Sequence, residues 1–160
     1  MSGDKTPVTA AVRVLRAERA RYTEHPYHYI DHGGTSAFAR QSGVDEERVI
    51  KTLIMEDETG RPLVVLMHGN KEVSTKELAR IIGVKRVEPC SPDVAQKHTG
   101  YLVGGTSPFG TRKKMPVYME ETILVLDRIY INGGKRGFLI GIDPSEAARI
   151  LKPLLVRVGI

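Results

Sequence analysis

Apolar positions change period along the chain, and the changes mark its elements. From Thr6 to Ala20, Val8, Ala11, Val12 and Leu15 recur at helical spacing behind Pro7, which suits a first turn, so an opening helix is predicted. Tyr22 to Ile30 alternates β-formers and aromatics (Tyr22, Tyr27, Tyr29) and reads as a strand. Gly33-Gly34 interrupts it, and Thr35 is placed to cap a short helix that runs to Gln41 and stops at Gly43. After a turn at Asp45, the β-branched run V-I-K-T-L-I-M from Val49 to Met55 predicts a strand. Thr59-Gly60 folds it back on Leu63 to Met67 as a hairpin. Ser74 caps a helix from Thr75 to Ile82, closed by Gly83.

Val84 to Val87 predicts a short strand, and Ser91-Pro92 opens a helix through Lys97. Val117 to Met119 is extended. A strand within Ile123 to Ile131 leads into a turn at Gly133-Gly134, and Phe138 to Ile142 pairs back. Asp143-Pro144 caps a last helix, Ser145 to Leu151, before a final strand from Leu154 to Val158. Strands and helices interleave without strict βαβα alternation, and no repeat, low-complexity tract or linker divides the chain. Residues 1–160 therefore read as one α+β domain on a mixed, barrel-like sheet surrounded by helices.

Composition narrows the class. The chain is 41% hydrophobic and 27% charged, as in a soluble globular protein, and no apolar run approaches the ~20 residues of a membrane span. The opening M-S-G-D-K-T-P lacks the apolar core of a signal peptide, and a single cysteine excludes an internal disulfide, so a cytoplasmic protein is expected. The net charge of +5 is compatible with a polyanionic partner. With no tryptophan, six tyrosines and three phenylalanines, a stacking platform for single strands is not evident; phosphate contacts would dominate any nucleic-acid binding.

The densest candidate chemistry lies in T-G-Y-L-V-G-G-T-S-P-F-G-T-R-K-K-M-P, Thr99 to Pro116. Gly104, Gly105, Ser107, Pro108 and Gly110 follow directly on the apolar Leu102 and Val103. Such a loop lets backbone N–H groups face an anion or a carbonyl oxygen. Arg112, Lys113 and Lys114 adjoin it, and Gly133-Gly134 with Lys135, Arg136 and Gly137 repeats the combination. Ordinary turns with solvated lysines would give the same pattern. Lys51 stands out inside a β-branched strand, where its ammonium must reach either a rim or a pocket; in a cleft it could bind phosphate or ribose or polarise a carbonyl.

Other chemistries lack support. His25 and His28 fall on opposite faces of their predicted strand, no Cys/His set has zinc spacing, and no metal site is expected. Cys90 has no identifiable base and reads as an inert thiol. The glycines match neither a dinucleotide fingerprint nor a P-loop, and Ser107 is not in a hydrolase elbow. No cofactor is called for. The residues alone define an α+β domain with a basic, glycine-lined pocket.

The motifs K-T-P-V-T-A-A-V-R-V-L near the start, V-I-K-T-L-I at Val49 to Ile54, V-A-Q-K-H-T-G-Y-L-V-G-G-T-S-P-F-G at Val94 to Gly110 and I-Y-I-N-G-G-K-R-G at Ile129 to Gly137 together resemble the YbaK/EbsC family. That family is related to the editing domain inserted in bacterial prolyl-tRNA synthetases. The resemblance spans nearly the whole chain. It implies a free-standing trans-editing hydrolase that removes a wrong amino acid from tRNA, typically cysteine from proline tRNA, whereas synthetase-linked relatives remove alanine.

Carried over by motif, Lys51 is the functional lysine and Thr52 its neighbour. Gly104 to Pro108 (Gly104, Gly105, Thr106, Ser107, Pro108) is the loop holding the terminal adenosine and the scissile ester. Gly110, Gly133 and Gly134 extend that glycine lining. The pocket tyrosine falls on Tyr27, with Tyr29 as the alternative. The implied mechanism uses no enzyme nucleophile: the substrate's own thiol attacks its ester while the protein positions and polarises. The implied partners are the acceptor end of a mischarged tRNA and prolyl-tRNA synthetase, with no membrane. One departure is plain. Cysteine-editing members carry an aspartate two residues after K-R-G, where this chain has Leu139, which leaves the amino acid open. A non-catalytic tRNA-binding or synthetase-associated module is the rival reading.

Overall fold

The computed structural model describes residues 6–160. The leader expectation rests partly on residues 1–5, which lie outside them. The first helix, α1 (Ala10–Ala17), starts later than its apolar spacing suggests. Thr9 is extended, and its hydroxyl accepts the Val12 N–H at 3.1 Å, so the helix is capped there and not at Thr6. The following strand, β1 (Tyr22–Pro26), is shorter than predicted. Proline has no N–H to donate to a ladder, and beyond Pro26 only the Tyr27 N–H to Gly137 carbonyl bond continues the pairing.

The second helix, α2 (Gly34–Ser42), closes on Gly43 in the left-handed conformation, but Thr35 does not cap it. The cap is Gly33, without any side-chain bond, and the Thr35 hydroxyl instead donates to Glu46 Oε2 at 2.7 Å. Strands β2 (Val49–Asp57) and β3 (Pro62–His68) form the expected hairpin. Helix α3 (Thr75–Ile82) has the predicted Ser74 and Gly83 caps. The short strand β4 is Val87–Pro89, three residues past its predicted start, and α4 is Pro92–Thr99. Strand β5 (Val117–Glu120) precedes a 3₁₀ turn, Glu121–Val125, in place of the early part of the strand expected from Ile123. Strands β6 (Ile129–Lys135) and β7 (Phe138–Ile142) pair antiparallel, then α5 (Pro144–Leu151) and β8 (Leu154–Val156) end the chain.

The eight strands form one mixed sheet in the order β1-β7-β6-β2-β3-β5-β8, with β4 on β2 off this path. The main core packs α1 residues Ala11, Val12 and Leu15 against Ile50, Ile54, Ile129, Ile131, Phe138 and Ile140. A second cluster joins Leu78 of α3 to Met55, Val65 and Met67, and a third, smaller one joins Phe38 of α2 to Val49 and Leu139. Two buried polar residues close the frame. His68 is held by the Glu47 carbonyl and the Thr122 hydroxyl, and the Glu120 carboxylate accepts N–H bonds from Val158 and Gly159. No helix among the described residues is long and apolar enough to cross a membrane.

Candidate active site

What opens the site is a change of partner along β2. One edge of this strand pairs with β3 from Ile50 to Glu56. The other edge pairs with β6 only at Val49 and Ile50, and with β4 only from Met55 to Asp57. Between them, from Lys51 to Ile54, the sheet parts, and a cleft of about 840 Å³ fills the gap. That is within the ~300–1,000 Å³ of small-molecule sites. The Cys90 N–H takes the Ile54 carbonyl at 3.0 Å on this side. Because both peptide groups of a strand residue face one edge and the edge alternates, the backbone of Thr52 is directed into the gap as well.

Lys51, Thr52, Tyr27, Gly104 and Thr106 all line the cleft. The Lys51 side chain is 21% exposed, and its Nζ lies 3.6 Å from Glu72 Oε1 on an almost fully solvated glutamate. Such a pair is a loose tether that leaves the ammonium available. Thr52 Oγ1 is buried and has no hydrogen-bond partner among the described residues. Tyr27 packs edge-on against Phe38, and burial, then the neighbouring Tyr29, pushes its phenol above the usual range.

The remaining glycine-loop residues stand behind the cleft, not on it. Gly105 and Ser107 are buried; the Gly105 N–H is spent on the Leu102 carbonyl at 2.8 Å, and the Ser107 hydroxyl accepts the Phe109 N–H. Pro108 is buried beside it, and Gly110 packs against the Ala10 carbonyl of α1. Gly133 and Gly134 do not form a turn. They lie within β6 at a bulge, and the turn is Arg136-Gly137. A Cβ on Gly133 would stand 2.5 Å from the Phe138 ring, and Gly134, at φ 100°, abuts Tyr101 and Thr9. Of the basic residues flanking the two segments, Arg136 reaches the cleft; Arg112, Lys113 and Lys114 are exposed outside it.

One contributor, Asn132, had no sequence signal of its own. Asn132 ties the two glycine segments together: its Nδ2 donates to the Gly104 carbonyl at 3.0 Å, and its Oδ1 accepts from Gly134 N at 2.7 Å. Arg136 Nε donates to the Val103 carbonyl, and its guanidinium lies 5.2 Å over the Tyr29 ring. Tyr29 in turn seats against Gly104; a Cβ there would come 2.6 Å from its hydroxyl. Both tyrosines thus line the cleft, and Tyr29 is the one that touches the loop. Across from them, Gly33 to Ser36 bring the uncapped start of α2 to the wall, where its first N–H groups favour an anion.

The far wall is apolar, built from Leu139, Phe38 and Val49. Cys90 lines the inner end, its thiol pushed up to about 11 by burial and by the Glu56 and Glu88 carboxylates. A thiol so disposed is protonated at neutral pH and a poor nucleophile. The cleft therefore combines cations, helix N–H groups and an apolar wall with the acidic residues Asp31 and Glu46.

The family model of the aminoacyl-tRNA editing domain matches residues 33–150, which include most of the mixed sheet and of the cleft lining. The chain belongs to the aminoacyl-tRNA editing domain family, and the expected class of enzyme, an aminoacyl-tRNA deacylase, stands with it. Among its relatives is the Enterococcus faecalis protein named "Putative Cys-tRNA(Pro)/Cys-tRNA(Cys) deacylase EbsC", 32% identical over 138 residues that cover 86% of this chain and 84% of that one. A proline–tRNA ligase of Syntrophotalea carbinolica is 38% identical over 65 residues, 41% of this chain and 11% of the ligase. The fold also matches the crystal structure of "hypothetical protein APE2540", with a TM-score of 0.87 at 20% identity over 94% of this chain and 99% of that one. It likewise matches "a putative trans-editing enzyme for prolyl tRNA synthetase", with a TM-score of 0.82 at 20% identity over 97% and 99%.

Proposed function

We propose that this protein removes cysteine from mischarged proline tRNA in trans, taking the 3′-terminal aminoacyl-adenosine into the cleft between β6 and β4. The single observation that carries the reading is the gap in the sheet at Lys51 and Thr52. Lys51 and Thr52 line the same cleft as Gly104, the Lys51 ammonium is only loosely tethered to Glu72, and the Cys90 thiol of that cleft is held protonated. The cleft has room for a terminal nucleoside and its amino acid. The start of α2 and Arg136, on the cleft wall, attract the phosphate that joins this nucleoside to the rest of the acceptor stem, which lies outside.

Lys51 polarises the ester carbonyl as negative charge develops on its oxygen, and Thr52 and the Gly104 loop hold the reacting atoms. The nucleophile is the substrate's own sulfur. As thiolate it attacks the ester carbon, closing a four-membered thiolactone; the carbon–oxygen bond to the ribose breaks, and the freed hydroxyl takes up the proton that the thiol gave. Water then opens the thiolactone to free cysteine. The apolar wall at Leu139 accommodates a small, uncharged side chain such as this one. It equally favours alanine, for which water would have to be the attacker.

Incubating the purified protein with a panel of mischarged proline tRNAs tests the proposal. Cysteine is released fastest, and the correct prolyl ester is spared. Efficient release of alanine, indifferent to any substrate thiol, replaces the substrate and the mechanism while keeping the enzyme class. Binding of every tRNA with hydrolysis of none makes the protein a non-catalytic tRNA-binding module, one that could deliver tRNA to prolyl-tRNA synthetase.

A further inference from the structure

No zinc-type spacing is visible along the chain, yet the fold assembles a mixed ligand set at the inner end of the cleft. Glu56 and Cys90 lie on the β2/β4 ladder, whose register sets Met55 opposite Pro89 and therefore Ile54 opposite Cys90. Side chains on one face of a strand recur every second residue, so Glu56 stands on the same face as Ile54 and Cys90. Helix α4 begins two residues after Cys90 and crosses this face, burying Ala95 in the main core and bringing in His98 from its last turn. The Glu56 carboxylate, the Cys90 sulfur and a His98 ring nitrogen all lie within 4.8 Å of one another, each on a half-buried residue.

None of the three side chains makes a hydrogen bond or ion pair among the described residues. Two arrangements could explain such convergence. A nucleophilic cysteine needs its histidine as base and a third group to orient that histidine. Here two carboxylates, Glu56 and Glu88, face the thiol and disfavour its thiolate, the reverse of activation. A cation reverses that relation, because it is drawn to the same carboxylate and stabilises the thiolate directly.

We propose that Glu56, Cys90 and His98 bind one thiophilic divalent cation of the zinc class, clamping α4 across the β2/β4 ladder at the inner end of the cleft. Cysteine, histidine and carboxylate are the three donor types such a cation takes, at about 2.0–2.3 Å. The donors then sit about 3.3–3.8 Å apart, which rotation of the partly exposed glutamate and histidine side chains supplies. Three protein ligands leave a fourth position open. The site is separate from the deacylase proposal, which uses Lys51, Thr52 and the Gly104 loop.

The test is a titration of the reduced, metal-stripped full chain with Co²⁺, followed by absorption, since a thiolate bound to cobalt gives a charge-transfer band in the near ultraviolet. One Co²⁺ binds per chain and is displaced by Zn²⁺. The band is absent in Cys90→Ser, and apparent affinity falls at least ~10-fold in both His98→Gln and Glu56→Gln, as even weaker perturbations of a metal site do. Zn²⁺ also raises the melting temperature of the wild type, since it binds the folded chain. A folded wild-type protein that gives no band overturns the site. So does a band that His98→Gln and Glu56→Gln leave unchanged, because it then belongs to a lone thiol. Circular dichroism accompanies each variant, and if Cys90→Ser unfolds, the other two variants decide.

Discussion

Gly104 and Gly133 look alike in the sequence, each the first of a glycine pair beside basic residues, and the fold gives them opposite work. Gly104 is exposed, has φ 89°, lines the cleft and seats the Tyr29 ring. Gly133 is buried within β6, and the space its missing Cβ would occupy is filled by Phe138. One glycine makes room for Tyr29 at the cleft and the other makes room for the core. The lesson is that a glycine marks a close approach without saying what approaches. Asn132 reconciles the pair mechanically, since one amide holds the Gly104 carbonyl and the Gly134 N–H together. The packed segment is thus the support of the open one.

Alanine at each of the two glycines separates their roles. Gly133→Ala sets a methyl group into the Phe138 ring, and overpacking of this kind costs about 1–3 kcal/mol or more. Thermal melting should register it as the largest loss of stability in the set. Gly104→Ala meets the tip of one tyrosine and an unfavourable φ, about 1 kcal/mol. Its larger consequence is a drop in deacylation as Tyr29 is displaced. Equal stability losses in the two variants would erase the distinction.

Lys51→Ala carries the comparison to the chemistry. Turnover falls by at least ~10²-fold, the effect of losing one electrostatic donor. The melting temperature hardly moves, because the lysine's partner is a solvated glutamate. Turnover at the wild-type level in a folded Lys51→Ala protein would return this residue to the ordinary surface. A still smaller change is expected from Glu72→Gln, which removes only the tether: exposed pairs are worth ~0–1 kcal/mol, and steady-state rates should stay within about 2-fold. A large loss there would mean that Glu72 positions Lys51 actively.

Most elements were legible because local signals and tertiary packing agree. Ser74 and Gly83 bracket α3 as their residue types require, and the β-branched run from Val49 becomes β2. The disagreements are local patterns overruled by a specific contact. Thr35 looks like a cap but bonds Glu46, and Tyr27 to Ile30 looks like strand but follows Pro26. Lys51 could be singled out because an ammonium in an apolar run needs an explanation. The cleft beside it could not, since it exists only where β2 exchanges β6 for β4, a matter of register between distant segments. The same holds for Glu56, Cys90 and His98, which no spacing along the chain connects. The family resemblance supplied the enzyme class that the residues alone left open, and Leu139 marks where its guidance on substrate ends.

In the proposed mechanism the protein polarises the ester while the substrate supplies the nucleophile. Single-turnover release of the amino acid from three proline tRNAs, carrying cysteine, S-alkylated cysteine or serine, measures this most directly. Cysteine should be released at least ~10²-fold faster than the other two, because a thiol is a few per cent thiolate near neutral pH, whereas a hydroxyl needs a base to take its proton, a part the proposal gives to no side chain of the cleft. Comparable rates for all three would contradict the account and make water, or a group of the protein, the attacker.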